Sequence, residues 1–325
     1  MDGKKRERGG ERELHNYRLE LVFEKKIPGL RVSEALRRRE YVMRSRHFHS
    51  SIELNFLIEG TRFFFVDPES YCMRAGTAML IDHDRIHKTS LAEGYPPDHR
   101  NFILQLEREP FDGLLRQFGY PGFDEFGRIY SGACGFSREE WALILGIIAQ
   151  FKSACDQMIG EELCPFLFLQ AMELLGIFAR ARSRGISESY QGGRETGNGA
   201  REAGPDFASS ADRLDSGVHQ RVREIALYLQ NHSAEKQELQ EIAAHFYMSR
   251  SYLSRIFRKV TGFSVVEYLN FVRVRKAQEL LKGSRMRITE ISESTGFGNI
   301  TYFERVFRSL SGQSPAQYRR GEAQK

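Results

Sequence analysis

The sequence predicts a multidomain α+β protein. An N-terminal β-barrel ending in two helices is followed by a flexible linker and then an all-α domain with two helix-turn-helix hairpins. Three observations carry this. Short β-rich runs broken by turn residues occupy residues 52–107. Residues 181–216 are rich in Gly, Ser, Ala and charge and show no apolar periodicity. After them, a pattern of about fifty residues occurs twice.

The chain has 325 residues, which at roughly 150 residues per domain suggests two domains. A hydrophobic fraction of 41% and a charged fraction of 28% are those of a soluble globular protein. No uninterrupted apolar run approaches the roughly 18 residues of a membrane span. The opening "MDGKKRERGGERELHNY" lacks the apolar centre of a signal peptide. A cytoplasmic protein with no membrane partner is expected. Cys72, Cys134, Cys155 and Cys164 form no CxxC pair and no zinc-finger spacing, as expected of reduced thiols.

The N-terminal domain is placed at 17–180. "IELNFLIEG", "TRFFFV", "SYCMRAG", "TAMLID", "HKTSL" and "NFILQLE" read as strands, with "DPES" and Gly76 as turns. Many short strands with close turns suggest a sandwich or barrel. The pattern then becomes helical. Ser137 and Glu140 form a capping-box pair, followed by Trp141, Leu143, Ile144, Ile147, Ile148 and Phe151 at helical spacing. "ELCPFLFLQAMELLGIFARAR" gives a second helix. These two helices either pack on their own domain or form a homodimer seam through 137–180.

The linker is placed at 181–216, because such a composition buries too little surface to offset the entropy of ordering. The domain at 217–321 follows. Residues 218–325 carry a net charge of +8, and the remainder of the chain −3. A basic third after an acidic remainder suggests a nucleic-acid partner.

The repeat lies in this basic part. "LQEIAAHFYMSRSYLSRIFRKVTGFSVVEYL" and "ITEISESTGFGNITYFERVFRSLSGQSPAQYR" match at an offset of fifty: Leu253 with Phe303, Arg255 with Arg305, Phe257 with Phe307, Gly262 with Gly312 and Tyr268 with Tyr318. Ile242 with Ile291 is offset by forty-nine, so one residue is inserted in the turn between. Each copy reads as helix, short turn, helix, at about 237–260 and 287–310. In the first, the turn falls near Tyr247 and Met248 and Ser249 caps the second helix. In the second, Gly296 makes the turn and Asn299 caps. Leu253, Ile256 and Phe257, and likewise Phe303, Val306 and Phe307, point inward. The opposite faces carry Arg250, Ser251, Ser254, Arg255 and Arg258, and Ile300, Thr301, Glu304, Arg305 and Arg308.

A helix anchored on one side by apolar residues and offering polar and basic residues on the other is what a major-groove reader needs. Between the copies, a helix at about 264–282 opens with the capping pair Ser264 and Glu267. Its length of roughly 30 Å is close to one turn of B-DNA, about 34 Å. It would set two reader helices in successive grooves of double-stranded DNA.

These residues resemble the AraC/XylS family of bacterial transcription regulators. "MSRSYLSRIFRKVTGFSVVEYLNFVRVRKAQELL" matches, and so, more specifically, do "GF", "YFERVFR" and "SPAQYR" in that order. Ser292 departs from the family's usual alanine. The resemblance implies two helix-turn-helix units on a linking helix, with Ser251, Ser254, Arg255, Ile300, Thr301, Glu304 and Arg305 reading bases. Arg250, Arg258, Asn299, Tyr302 and Arg308 would meet phosphates. Promoter DNA is the implied partner, with RNA polymerase if the protein activates.

"HFHSSIELNFLIEG" fits the cupin pattern H-x-H-x3-E-x6-G, and a looser second element runs from Gly76 to His87. The N-terminal domain is therefore similar to the cupin-type effector domains attached to such regulators. His47 and His49 share a strand face by their spacing. With Glu53 and His87 they are candidates to line the site of a small-molecule effector, a sugar by family analogy. The same four suit a divalent metal, the one cofactor the sequence suggests. An alternative is a metal-dependent cupin enzyme tethered to a DNA-binding domain. A third reading is an N-terminal domain that only dimerises.

Overall fold

The computed structural model describes residues 19–37, 51–83, 85–92, 94–158, 162–191, 211–213 and 217–323, with the backbone alone at 19–21, 185–191, 211–213 and 322–323. The N-terminal part is built from two antiparallel sheets. One has six strands in the order β1 (Leu19–Ile27), β2 (Leu30–Arg37), β8 (His99–Leu106), β3 (Ile52–Glu59), β6 (Thr77–Ile81) and β9 (Gly132–Gly135). The other has four, in the order β10 (Ala211–Arg213), β5 (Glu69–Arg74), β4 (Thr61–Val66) and β7 (His87–Leu91).

The expected α+β order is met, and the expected sandwich or barrel takes an open form: among the described residues no ladder joins the sheets. Two of the chain's crossings between them, β3 to β4 and β5 to β6, share one corner. Gly60, at φ 88°, ends β3, and Gly76, at φ 90°, precedes β6. Ala75 N donates to Gly60 O and Gly76 N to Leu57 O, each at 3.0 Å. A Cβ on Gly60 would lie 2.3 Å from the Asp98 carbonyl oxygen, so the crossing requires glycine.

Strand alternation gives the six-stranded sheet two buried faces. One carries Leu30, Val32, Leu54, Phe56, Leu80, Phe102 and Leu104. It packs against α1 (Arg108–Gln117), α2 (Phe123–Tyr130), α3 (Arg138–Gln157) and α4 (Leu163–Gln191), through Phe111, Phe126, Ile144, Phe151, Leu167 and Phe178. The other face carries Leu57, Met79 and Ile81, which meet Phe64, Val66 and Met73 of the four-stranded sheet. Helix α3 begins at the capping box expected for it, with Glu140 N donating to Ser137 Oγ at 3.2 Å.

Helix α4 runs eleven residues past the expected domain end at 180, and β10 also falls within the expected linker 181–216. Polar composition concealed the reason. Arg182 Nη2 donates to Ser131 O at 3.1 Å, and Arg184 makes a bidentate pair with Glu140 at 2.9 and 2.7 Å, so charged groups tie the helix to the fold. The rest of that segment, 192–210 and 214–216, lies outside the described residues. The stretch Leu163–Arg184 is long and apolar enough by composition to cross a membrane, though it contains no uninterrupted apolar run of that length. Half of it is buried, with Leu167, Leu174 and Phe178 fully enclosed, as in a core helix.

The C-terminal part is all α: α5 (Gly217–Asn231), α6 (Leu239–His245), α7 (Arg250–Thr261), α8 (Val265–Gly283), α9 (Ile288–Ser294), α10 (Ile300–Ser311) and α11 (Pro315–Ala323). Helices α6–α7 and α9–α10 are the two expected hairpins, and α8 is the linking helix. Ser249, Ser264 and Asn299 cap as expected, accepting from Tyr252 N, Glu267 N and Tyr302 N. Gly262 and Gly312 end α7 and α10 in the same left-handed conformation, at φ 82° and 75°. Val265, Tyr268, Leu269 and Val272 of α8 join the core of the first hairpin, and Val274, Ala277 and Leu281 that of the second. One rigid helix therefore serves both units.

Candidate nucleic-acid interface and inter-sheet pocket

In both hairpins the second helix buries one side and bares the other. Leu253, Phe257, Phe303 and Phe307 are fully buried. Arg250, Ser251, Arg255 and Arg258 of α7 are exposed and Ser254 is half-buried; Ile300, Thr301, Glu304, Arg305 and Arg308 of α10 are exposed. Two of the expected phosphate ligands also have structural duties. Asn299 Oδ1 accepts from Tyr302 N at 3.0 Å, and the half-buried Tyr302 accepts from Asn270 Nδ2 at 2.7 Å.

The arginines repeat in detail. The Arg255 guanidinium lies 5.3 Å from the centre of the Tyr252 ring, and that of Arg305 lies 5.2 Å from the Tyr302 ring. A guanidinium held over an aromatic face loses freedom before it meets a ligand. Tyr252 escaped the sequence reading, although its fifty-residue offset from Tyr302 was a visible signal. The turns correspond as well. Tyr247, at φ 55° and 97% exposed, occupies the left-handed position that Gly296, at φ 88°, fills in the second hairpin. Gly296 is required there because a Cβ would sit 2.6 Å from Ser233 O.

In the N-terminal domain, His47 and His49 lie outside the described residues. Glu53 and His87 are brought together from opposite sheets, with Glu53 Oε2 4.0 Å from His87 Nε2 and both side chains buried. His87 Nδ1 donates to Arg85 O at 3.1 Å, which turns Nε2 toward the carboxylate. Asn55 Nδ2 and Gln105 Nε2 donate to the two Glu53 oxygens at 3.3 Å each. This wall of hydrogen-bonding groups suits a small polar guest. His87 Nε2 and a Glu53 oxygen are also donors of the kind a divalent metal takes. Among the described residues, no three metal-ligating side chains converge.

Register places further polar residues between the sheets. Glu53, Asn55 and Leu57 pair with Gln105, Ile103 and Asn101, and Arg37 pairs with His99. Opposite them, Arg62, Phe64 and Val66 pair with Leu91, Thr89 and His87. Since Leu57, Phe64 and Val66 meet in the inter-sheet cluster, their same-face neighbours Arg62, Thr89, His99 and Asn101 also face the inter-sheet space. Arg62 is 1% exposed. Burial, with the Arg62 and Arg37 guanidiniums nearby, pushes the His99 imidazole down to about 4. Asn55 Oδ1, Thr89 Oγ1 and Asn101 Oδ1 are buried and have no hydrogen-bond partner among the described residues. A buried polar atom left so costs about 1–3 kcal/mol, and a hydroxyl-bearing guest would relieve it. In "HRNFILQL" the period-two set from His99 is polar at His99, Asn101 and Gln105, and the other set ends in the apolar Phe102, Leu104 and Leu106, the signal by which His99, Asn101 and Gln105 could have been found.

A family profile described as a helix-turn-helix domain matches residues 242–321. The chain is 36% identical over 287 residues to the Bacillus subtilis protein described as uncharacterized HTH-type transcriptional regulator YfiF, covering 84% of this chain and 78% of that one. It is 34% identical over 111 residues to the arabinose operon regulatory protein of Escherichia coli, covering 34% of this chain and 38% of that regulator. It is 25% identical over 285 residues to the transcriptional activator RhaS of Citrobacter koseri, covering 85% and 87%. Among solved structures, the DNA-binding domain of AdpA in complex with a target DNA is 34% identical, covering 30% of this chain and 88% of that one, with a TM-score of 0.30.

Proposed function

The chain belongs to the AraC/XylS family of transcription regulators, and from that premise we propose that it reads a bacterial promoter with α7 and α10 under the control of a small molecule held between its two sheets. The family consists of DNA-binding regulators, so the tethered-enzyme alternative lapses. The observation that carries the reading is the duplicated reader: Arg255 over Tyr252 and Arg305 over Tyr302, fifty residues apart on hairpins that share α8. Ser251, Ser254, Arg255, Ile300, Thr301, Glu304 and Arg305 read bases. Arg250, Arg258, Asn299, Tyr302 and Arg308 hold phosphates.

The effector is a hydroxylated molecule of the sugar class. The orphaned buried oxygens of Asn55, Thr89 and Asn101 support this. The protein acts in the cytoplasm, as a homodimer through 137–180, and contacts RNA polymerase if it activates. Leu143, Leu145 and Leu169, 47%, 38% and 58% exposed on α3 and α4, support the dimer seam.

The reader assignment is tested by binding to a promoter fragment across a range of salt. Arg255→Ala with Arg305→Ala should remove specific binding, at about 1–3 kcal/mol for each lost base contact. Retained specific binding would show that α7 and α10 are not the readers. The 4.0 Å approach of Glu53 and His87 favours a second reading of the pocket, a divalent metal on His47, His49, Glu53 and His87. Elemental analysis of the purified, metal-loaded protein decides it. About one equivalent that falls on Glu53→Gln supports the metal, and trace content of every transition metal removes it.

A further inference from the structure

Strands β4 and β7 have two working faces. Arg62, Phe64, Val66, His87 and Thr89 face the inter-sheet pocket. The alternate residues Phe63, Phe65 and Lys88 face away from it. On an outer sheet face such residues would ordinarily meet water. Here Phe65 is 3% and Lys88 9% exposed, and the adjacent Ile86 is fully buried.

What covers them is α5 together with the end of α7 and the start of α8, the helices that carry the first reader. Phe65 and Ile86 belong to the same apolar cluster as Val222, Ile225, Phe257, Val260 and Phe263. The Phe63 ring meets His219 of α5 edge-on at 5.4 Å. Lys88 Nζ donates to the Lys259 carbonyl in the last turn of α7 at 3.0 Å.

The turn after β4 carries a buried polar centre. Asp67, 5% exposed, accepts from Gln230 Nε2 at 3.0 and 3.1 Å and from the Tyr268 hydroxyl. Gln230 Nε2 also lies 2.8 Å from the Tyr268 hydroxyl oxygen. Tyr268 is fully buried near the start of α8. At the edge of this contact, Arg223 Nε meets Glu69 at 2.9 Å. Burial of this centre raises the Asp67 carboxyl pKa above its ordinary value. The opposite end of α7, with Arg250, Ser251 and Arg255, stays exposed. Docking therefore orients the first reader without covering it.

We propose that this contact is a latch: the β4–β7 wall touches the effector on one face and the first reader hairpin on the other, and Asp67, Tyr268 and Gln230 fasten the two, so that the state of the pocket sets the position of the first reader. The proposal rests on the reading that the inter-sheet pocket is the effector site.

Two measurements on the full chain test it. The first is an unfolding cycle of Asp67→Asn, Tyr268→Phe and the double variant. The unfolding constants should depart from additivity on the order of tenfold. Additive effects would mean that the latch does not hold the domains together, and this arm stands whether or not DNA binds. The second is promoter affinity after a change on the pocket side of the wall. Thr89→Leu, or the milder Thr89→Val if the first does not fold, should shift affinity severalfold in the wild-type background and not in Asp67→Asn/Tyr268→Phe. The latch double variant itself should keep specific promoter binding. Equal shifts in both backgrounds, or no shift in either, would overturn the latch. Loss of promoter binding by the wild-type chain would instead overturn the regulator reading.

Discussion

His99 shows how residues that sequence patterns pass over become chemically significant once two sheets close on them. Burial, with Arg62 and Arg37 beside it, lowers its pKa from 6.5 to about 4. Between those values the unfolded chain holds a proton that the folded chain lacks. The stability contributed by neutral His99 is therefore complete above pH 6.5 and is lost as the pH falls toward 4, by at most ~1.4 kcal/mol per pH unit. Asp67 acts in the opposite sense, because its raised pKa lets the folded chain take up a proton first as the pH falls. His99→Gln should flatten the decline of the unfolding midpoint between pH 7 and pH 4 relative to wild type. Parallel profiles would show that His99 does not titrate as its surroundings imply. At this scale legibility varied with the kind of signal. Arg255 and Arg305 stand out because a repeat marks them. Arg62 does not, because in "TRFFFV" it looks like any strand residue, and only the sheet placed opposite makes it interior.

Elements were legible where local rules determine them. The caps Ser137, Ser249, Ser264 and Asn299 accept the backbone N–H groups that their spacing anticipated, since a cap is chemistry between near neighbours. Strands β1 and β2, helices α1 and α2, strand β9 and helix α5 carry weaker local marks and take their form from partners. On β2, for example, buried Glu34 pairs with Arg100 of β8 and with Lys152 of α3, the latter at 2.7 Å. Helices α3 and α4 leave Leu143 and Leu169 exposed while Ile147, Phe151, Leu167 and Leu174 fill the core. Burying what remains exposed of each leucine in a homodimer would contribute about 1 kcal/mol, roughly half of a whole leucine side chain. Leu143→Lys combined with Leu169→Lys should convert a dimeric wild-type chain to monomer in sedimentation equilibrium, with the helical signal unchanged. A wild type that is monomeric at the highest concentration, or a variant that still dimerises, would place the seam elsewhere.

The described residues from Leu19 to the start of α8 stack in four layers: helices α1–α4, the six-stranded sheet, the four-stranded sheet, and α5 with the first reader hairpin and the start of α8. The order accounts for the coupling proposed above, because no element intervenes between the pocket and the reader except one sheet. The sequence by itself determined the two-part division, the double hairpin, the linking helix and which faces of α7 and α10 are exposed. All of these depend on helical periodicity, caps and a repeat, which are interactions between residues close in the chain or duplicated along it. Tertiary structure alone decided that the strands form two sheets rather than a closed barrel, that Asn55, Arg62, Thr89, His99 and Asn101 share one interior, and that Asp67 meets Tyr268. Those depend on register and on which face of a strand is covered. Asp67 and Tyr268 stand two hundred and one positions apart, and no local pattern reports such a pairing.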